Sequence, residues 1–350
     1  MKRLRDTTDE PGTGLRAGGA RARWGVAVLA VGLLVLAACG GGGDTSSTGG
    51  SAGTGAVTKE YKVKVGTLRQ PHLFAPAFYD KFLPPNVTME TVLFANSTEI
   101  KTAVVTGSVD FAVTGITAAL EGAAQDEPFR VLAAAADGAS AIVAKKDSGI
   151  ATVADLRDKK IGYVAGSAQD ILLRLTLKDA GMDANKDVEL VKVAFSDMAN
   201  ALDRGDIDAF SGAETGPSDA LVRGVAQLVV HPYETRMKKI NIVFGTSQAM
   251  IDKDPELVRI MVAAHAEATD YMKAHPDEWG QAVVTAYSFP PEALTLAIAN
   301  ISLGWRLDDA YIAQAKVLGG ELEGLKQIKK QPDYEAFFDT TFVTELMKGG

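Results

Sequence analysis

Cysteine is nearly absent: Cys39 is the single copy in 350 residues, so the chain cannot close an internal disulfide or gather thiolates around a metal. Histidine is almost as scarce, and His72, His231, His265 and His275 lie scattered along the chain. His265 and His275 fall in or at the end of one expected long helix, where packing or solvation explains them better than catalysis. Neither a phosphate loop of the form G-x-x-x-x-G-K-[ST] nor an H-E-x-x-H pair occurs, which removes two short signatures of nucleotide and metal chemistry. Positive charge is short as well, with 36 lysines and arginines against 44 aspartates and glutamates, net −8. That balance argues against a nucleic-acid binder, whose affinity comes largely from neutralising phosphates. Carboxylates are plentiful, yet no spacing singles out an acid-base pair. The expectation is a chain that is not an enzyme and carries no cofactor and no metal.

No apolar run reaches the roughly 20 residues of a membrane-spanning helix. The apolar stretch near the start, Trp24 to Ala38, has 15 residues without a charge and follows a basic leader of Lys2, Arg3, Arg5, Arg16, Arg21 and Arg23. It ends in Leu36-Ala37-Ala38-Cys39, which resembles the lipobox of bacterial lipoproteins. The resemblance implies cleavage before Cys39, lipidation of its thiol by groups such as palmitate, and a body held at the extracytoplasmic face of the cell membrane. The alternative, an ordinary buried thiol in an uncleaved helix, fits poorly with the Gly40-Gly41-Gly42-Gly43 that follows. From Gly40 to Val57 the chain is almost wholly Gly, Ser, Thr and Ala, a composition that cannot bury a core and serves as a flexible tether. Gly49-Gly50-Ser51-Ala52-Gly53 in that tract matches G-x-S-x-G, and Gly12-Thr13-Gly14 a fragment of a dinucleotide loop. Neither lies between an expected strand and helix, so both are accidents of composition.

The remaining 290 or so residues are enough for two lobes or one large α/β domain. Short β-rich runs alternate with helical ones, the pattern of a parallel sheet covered by helices. Strands are expected at Tyr61 to Val65, Thr88 to Phe94, Val109 to Thr114 and Phe129 to Ala136, with helices over Phe74 to Lys81, Thr98 to Thr106 and Thr117 to Ala124. Ala141 to Lys145 reads as a strand leading away. A second series follows: strands Lys160 to Val164, Val188 to Val193, Ile207 to Ser211 and Gln227 to Val230, and helices Ala168 to Ala180, Asp197 to Arg204 and Gly216 to Arg223. Ile240 to Gly245 reads as a strand that brings the chain back. Helices over Pro255 to Lys273, Pro276 to Tyr287, Pro291 to Ile301 and Asp308 to Leu318 close the chain. The first has an apolar stripe at Leu257, Ile260, Met261, Ala264, Ala268 and Met272, a core-packing face.

Six short stretches occur in order: Gly107 to Phe111, Ala144 to Ile150, Val153 to Leu156, Gly166 to Asp170, Gly205 to Ala209 and Asp254 to Val258. With that order of elements the chain, from about Tyr61 to at least Trp279, resembles the substrate-binding proteins of nitrate, sulfonate, taurine and thiamine-precursor ABC importers. The resemblance implies an α/β, two-lobe periplasmic-binding-protein fold of the second type with two crossing hinge segments. Residues 1–38 would be the signal peptide, 39–58 the lipidated linker, 59–141 and 246–350 the first lobe and 142–245 the second. A monomer would clamp a small-molecule ligand between its lobes and deliver it to an ABC permease served by a cytosolic ATPase. The rivals are a pyrimidine-binding protein or enzyme on the same fold, and a sensing lipoprotein with no transport role.

In open α/β sheets ligands bind beyond the carboxyl ends of the strands, where helix N-termini aim N–H groups at the crevice. Candidates at such turns are Asn96 and Ser97, Thr114 and Gly115, and Ser167 and Gln169; Phe195-Ser196-Asp197 opens a further helix. Ser, Thr, Asn and Asp also cap helices in every α/β protein, so each of these has a purely structural reading. The loop after the first strand, where the resemblance places ligand contacts, offers Arg69 for an anion and Gln70 or His72 for a neutral group. Glu214 follows the strand ending at Ser211, with Thr215 where related proteins often carry proline. A carboxylate there would favour an amine or cation and repel a sulfonate or nitrate unless it points away, so the ligand's charge stays open.

Overall fold

The computed structural model describes residues 59–349; the basic leader, Cys39 and the tether lie outside the described residues. The first series runs β1 (Tyr61–Leu68), β2 (Val87–Phe94), α1 (Ser97–Val105), β3 (Phe111–Gly115), α2 (Ile116–Ala123) and β4 (Phe129–Gly138). The chain then crosses into β5 (Ser140–Lys145), β6 (Lys160–Tyr163), α3 (Ala168–Asp179), β7 (Glu189–Lys192), α4 (Met198–Arg204), β8 (Ala209–Ala213), α5 (Gly216–Val222) and β9 (Ala226–Val230). It returns as β10 (Ile242–Ser247), followed by α6 (Gln248–Lys253), α7 (Pro255–Ala274), α8 (Pro276–Tyr287), α9 (Pro291–Ala299), β11 (Ile301–Leu303), α10 (Asp309–Gly324), α11 (Tyr334–Phe337) and α12 (Thr341–Gly349).

These strands form two sheets, one of six strands in the order β11-β4-β10-β3-β1-β2 and one of five in the order β7-β6-β8-β5-β9. Neither is purely parallel, against the expectation. β1 runs parallel to β2 and β3, and β6 to β7 and β8, but β10 is antiparallel to β3 and β4, and β5 to β8 and β9. The antiparallel strands include the two that enter a sheet from the other one, where no helical crossover turns the chain round to run parallel.

The first crossing is one residue long, Ala139 between β4 and β5, so Ser140 and Ala141 pair in the second sheet with Ala213 and Gly212. The second crossing ends before β10. Ile242, Val243 and Phe244 are buried between β3 and β4 in the first core, which moves 242–245 out of the span expected for the second lobe. Phe244 fixes that placement by stacking on Phe111 and on His265 at 5.7 and 4.6 Å.

Three other expectations shift locally. The helix expected over Phe74 to Lys81 is 3₁₀ at Ala75–Lys81, preceded by a 3₁₀ turn at Pro71–Leu73, each with its proline in the first turn, where the missing N–H costs no helical bond. The helix from Pro291 stops at Ala299, because Ile301–Leu303 pairs with Gly138–Ala136 on the edge of β4. The helix expected to end at Leu318 runs on to Gly324.

The second sheet is packed on both faces, and β5 shows it by alternation: Ile142 and Ala144 enter one apolar cluster, Ala141 and Val143 another. Helix α3 is two-faced. Leu173 and Leu177 belong to the second lobe's core, whereas Ala168, Ile171, Leu172 and Leu175 join the large cluster otherwise drawn from outside the second sheet. The lobes therefore meet along an apolar seam beside the two crossings.

Candidate functional site

The carboxyl ends of β1 and β3 and the turns after β6 and β8 converge on a cleft with two arms. The wide arm, about 490 Å³, is lined from the first lobe by Arg69, Gln70, Phe94, Tyr287, Ser288 and Phe289 and from the second by Phe195, Ser196, Glu214, Thr215 and Asp219. The narrow arm, about 20 Å³, is lined by Gln70, His72, Asn96, Ser97, Gly115, Thr117 and Asn241 on one side and by Gly166, Ser167, Gln169 and Phe195 on the other. Leu68, Gln70 and Phe195 belong to both arms.

Nine of the ten expected residues line this cleft. The exception is Thr114, which is fully buried in β3 with its hydroxyl 3.4 Å from the Ser97 carbonyl; the alternation of the strand turns it into the sheet layers and away from the crevice. Several others are committed to the fold. Asn96 caps α1, accepting the Glu99 N–H at 2.9 Å and donating to the Glu99 carboxylate at 2.8 Å. Ser97 Oγ accepts the Gly115 N–H at 3.1 Å. Ser167 caps α3 through the Asp170 N–H at 3.1 Å and donates to the Val164 carbonyl at 2.7 Å. Gln169 Nε2 donates to Ser140 Oγ at 2.9 Å and so ties α3 to the first crossing.

Two glycines allow the close approach. A side-chain carbon at Gly115 would lie 2.9 Å from Ser97 Oγ. Gly166 has φ +72°, and a side-chain carbon there would lie 3.3 Å from Glu121 Oε2, which reaches it from α2 in the other lobe. Burial first, and then the Asp170 charge, push the Glu121 carboxyl up to about 7, against the pull of Lys101.

Arg69 is exposed at the mouth, its guanidinium 5.8 and 5.5 Å from the Tyr287 and Phe289 ring centres, and it donates to the Tyr287 carbonyl. Glu214 is buried, yet its carboxylate accepts from Asn300 Nδ2 at 3.0 Å and from the Ser218 N–H at 3.3 Å. Burial raises its pKa and those hydrogen bonds oppose the rise. These neutral donors fix the carboxylate in place without cancelling its charge, so Glu214 and Arg69 line the wide arm with opposite preferences for a ligand's charge.

His72 is the contrary case. It is 3% exposed, burial alone pulls its pKa down to about 3, and its Nδ1 has no partner. Thr117 Oγ1, in the first turn of α2, is also buried without a partner. Thr117, Asn241, Tyr287 and Phe289 were not among the expected site residues. Thr117 stood in the turn already singled out, but Tyr287 and Phe289 arrive through the left-handed Ser288 that ends α8, far from any motif. Among the described residues no group of three or more His, Cys, Asp or Glu could hold a metal, and no helix is long and apolar enough to cross a membrane.

A Brucella abortus (strain 2308) protein whose name proposes a binding role is 32% identical over 132 residues, 37% of this chain and 41% of that one. The chain thus spans about two fifths of the length of that relative. A Bacillus subtilis (strain 168) protein with the provisional name of aliphatic sulfonates-binding protein is 23% identical over 331 residues, 93% of this chain and 97% of that one. Among solved structures, the alkanesulfonate-binding protein SsuA from Xanthomonas axonopodis pv. citri bound to MOPS superposes with a TM-score of 0.71 at 17% identity, covering 81% of this chain and 99% of that one. The desulfurization enzyme DSZB does so with 0.65 at 18% identity, covering 83% and 99%. Both likenesses bear on the fold, which is the two-lobe architecture of periplasmic binding proteins. Residues 86–279, more than half of the chain, match the NMT1/THI5-like family, and the chain belongs to that family.

Proposed function

We propose that this protein is the extracytoplasmic solute receptor of an ABC importer. It captures a small solute of the sulfonate, taurine or nitrate kind between its lobes and hands it to a membrane permease driven by a cytosolic ATPase. The observation that carries the reading is the cleft itself: both arms are lined from both lobes, and among the described residues the chain passes between the lobes at two crossings, Ala139 and the segment ahead of β10. A ligand touching both walls stabilises the shut form over the open one, and that difference in population is a signal a permease can read. The solute leaves unchanged, so the protein is no enzyme and needs no cofactor. It acts as a monomer held to the outer face of the cell membrane by lipid on Cys39. Labelled palmitate that still enters a Cys39→Ser variant would refute that anchor.

The test of capture is a thermal-shift screen of the full chain in detergent against sulfonates, taurine, nitrate, aminopyrimidines and aromatic acids and amides. At least one compound is expected to raise the unfolding midpoint and to shrink the radius of gyration in X-ray scattering. A flat response across the panel would end the receptor reading.

A further inference from the structure

The narrow arm contains no charged side chain, and its polar groups are unevenly used. Asn96, Ser97, Ser167, Gln169 and Asn241 already have partners. His72 Nδ1 and Thr117 Oγ1 have none, although His72 is 3% and Thr117 0% exposed, and the Gln70 side chain, 7% exposed, lines the same slot. Buried polar atoms are almost always paired, so two orphans lining one slot mark a place where something else completes the pairing.

The chemistry of that partner follows from the three groups. A neutral imidazole, a hydroxyl and a primary amide each donate and accept. A partner with both roles on adjacent atoms uses their donors and acceptors together, whereas an oxyanion uses their donors alone. An ionic head would also sit buried with no cation beside it, since Arg69 lines the wide arm and not this one. The slot is small, about 20 Å³, and takes the planar edge of an amide more readily than a tetrahedral oxyanion. Beyond it Phe195, Tyr287 and Phe289 line the wide arm, surfaces suited to a flat apolar body.

Resting on the receptor reading but replacing its sulfonate, taurine or nitrate with an uncharged solute, we infer that the ligand carries an amide edge, primary or cyclic, which His72 and Thr117 recognise in the narrow arm while a flat body lies against the rings of the wide arm. The experiment is calorimetric titration of the full chain with nicotinamide and benzamide and with the matched anions nicotinate and benzenesulfonate. The amides are expected to bind and the anions to bind at least about tenfold more weakly, as expected when a buried polar group is left unpaired. His72→Ala and Thr117→Val are each expected to weaken amide binding by about tenfold to a hundredfold at unchanged circular dichroism. Should a variant fail to fold, the His72 ring-nitrogen resonances of the unaltered protein must move when nicotinamide is added. Binding of the anions without the amides, or amide binding indifferent to both substitutions with still His72 resonances, overturns the inference and leaves the receptor standing. No binding by any member of either panel overturns both.

Discussion

At the scale of single residues, burial does different work on similar side chains. His265 and His72 are both buried and both lose basicity to desolvation, His265 to about 4 and His72 to about 3. His265 is fully used: its Nε2 donates to the Ala134 carbonyl at 2.8 Å, so its Nδ1 accepts from the Tyr79 hydroxyl at 2.7 Å. Composition could not separate the structural histidine from the orphaned one, because the difference lies in what faces each ring. Glu121 yields a pH prediction. Its folded pKa, about 7, lies above the ordinary carboxyl value of 4.5, so the folded state holds the proton more tightly than the unfolded chain does. Its contribution to stability is full below pH 4.5 and is lost as pH rises through 7. Unfolding free energies from urea titration at pH 5 and pH 8 should therefore differ more for the unaltered protein than for Glu121→Gln, by on the order of 2 kcal/mol. Equal differences would show that Glu121 titrates as an ordinary carboxyl.

At the scale of elements, most strands and helices of both series were legible because each is written in the periodicity of neighbouring residues. The stripe expected on α7 is the face that packs: Leu257, Met261, Ala264, Ala268 and Met272 are buried, with Ile260 partly so against them. Asn96 and Ser167 are the caps their positions suggested. The misses have a common cause. The antiparallel run of β10, the short β11 and the two-faced packing of α3 depend on which distant strand or helix is adjacent, and no local pattern encodes that. Helix α3 carries the corresponding prediction. Leu172 is 2% exposed and belongs to the large cluster, whereas its neighbour Leu173 belongs to the second lobe's core. Leu172→Ala should cost about 2–5 kcal/mol in urea unfolding, as a large-to-small core substitution does. A loss below 1 kcal/mol would mean that the seam between the lobes is not packed.

At the scale of the whole molecule, the crossings are tied by one polar network. The Ser140 carbonyl accepts from Asn300 Nδ2 at 3.2 Å and from a His231 ring nitrogen at 3.2 Å. The Tyr233 hydroxyl accepts the Ser140 N–H at 2.9 Å and lies 2.7 Å from Asn300 Oδ1. Asn300 also reaches Glu214, so one amide from the edge of the first lobe holds both the first crossing and the end of β8. Asn300→Ala should lower stability by about 1–3 kcal/mol, because it leaves buried acceptors unpaired. It should also enlarge the radius of gyration of the ligand-free protein. Unchanged stability and scattering would show that the network does not hold the lobes.

By itself the sequence determined the alternation of strands and helices, the caps and glycines at their ends, and the loop and turns that supply nine of the ten expected cleft residues. These are properties of neighbours along the chain, where periodicity, capping and left-handed turns act over a few residues. Only the tertiary structure decided that Thr114 turns into the sheet, that Glu214 is buried and held by Asn300 and Ser218, that Tyr287 and Phe289 wall the wide arm, and that His72 Nδ1 and Thr117 Oγ1 have no partner among the described residues. Each of those depends on a surface assembled from segments tens to hundreds of residues apart, and hydrogen bonding and desolvation are set by that surface and not by sequence proximity.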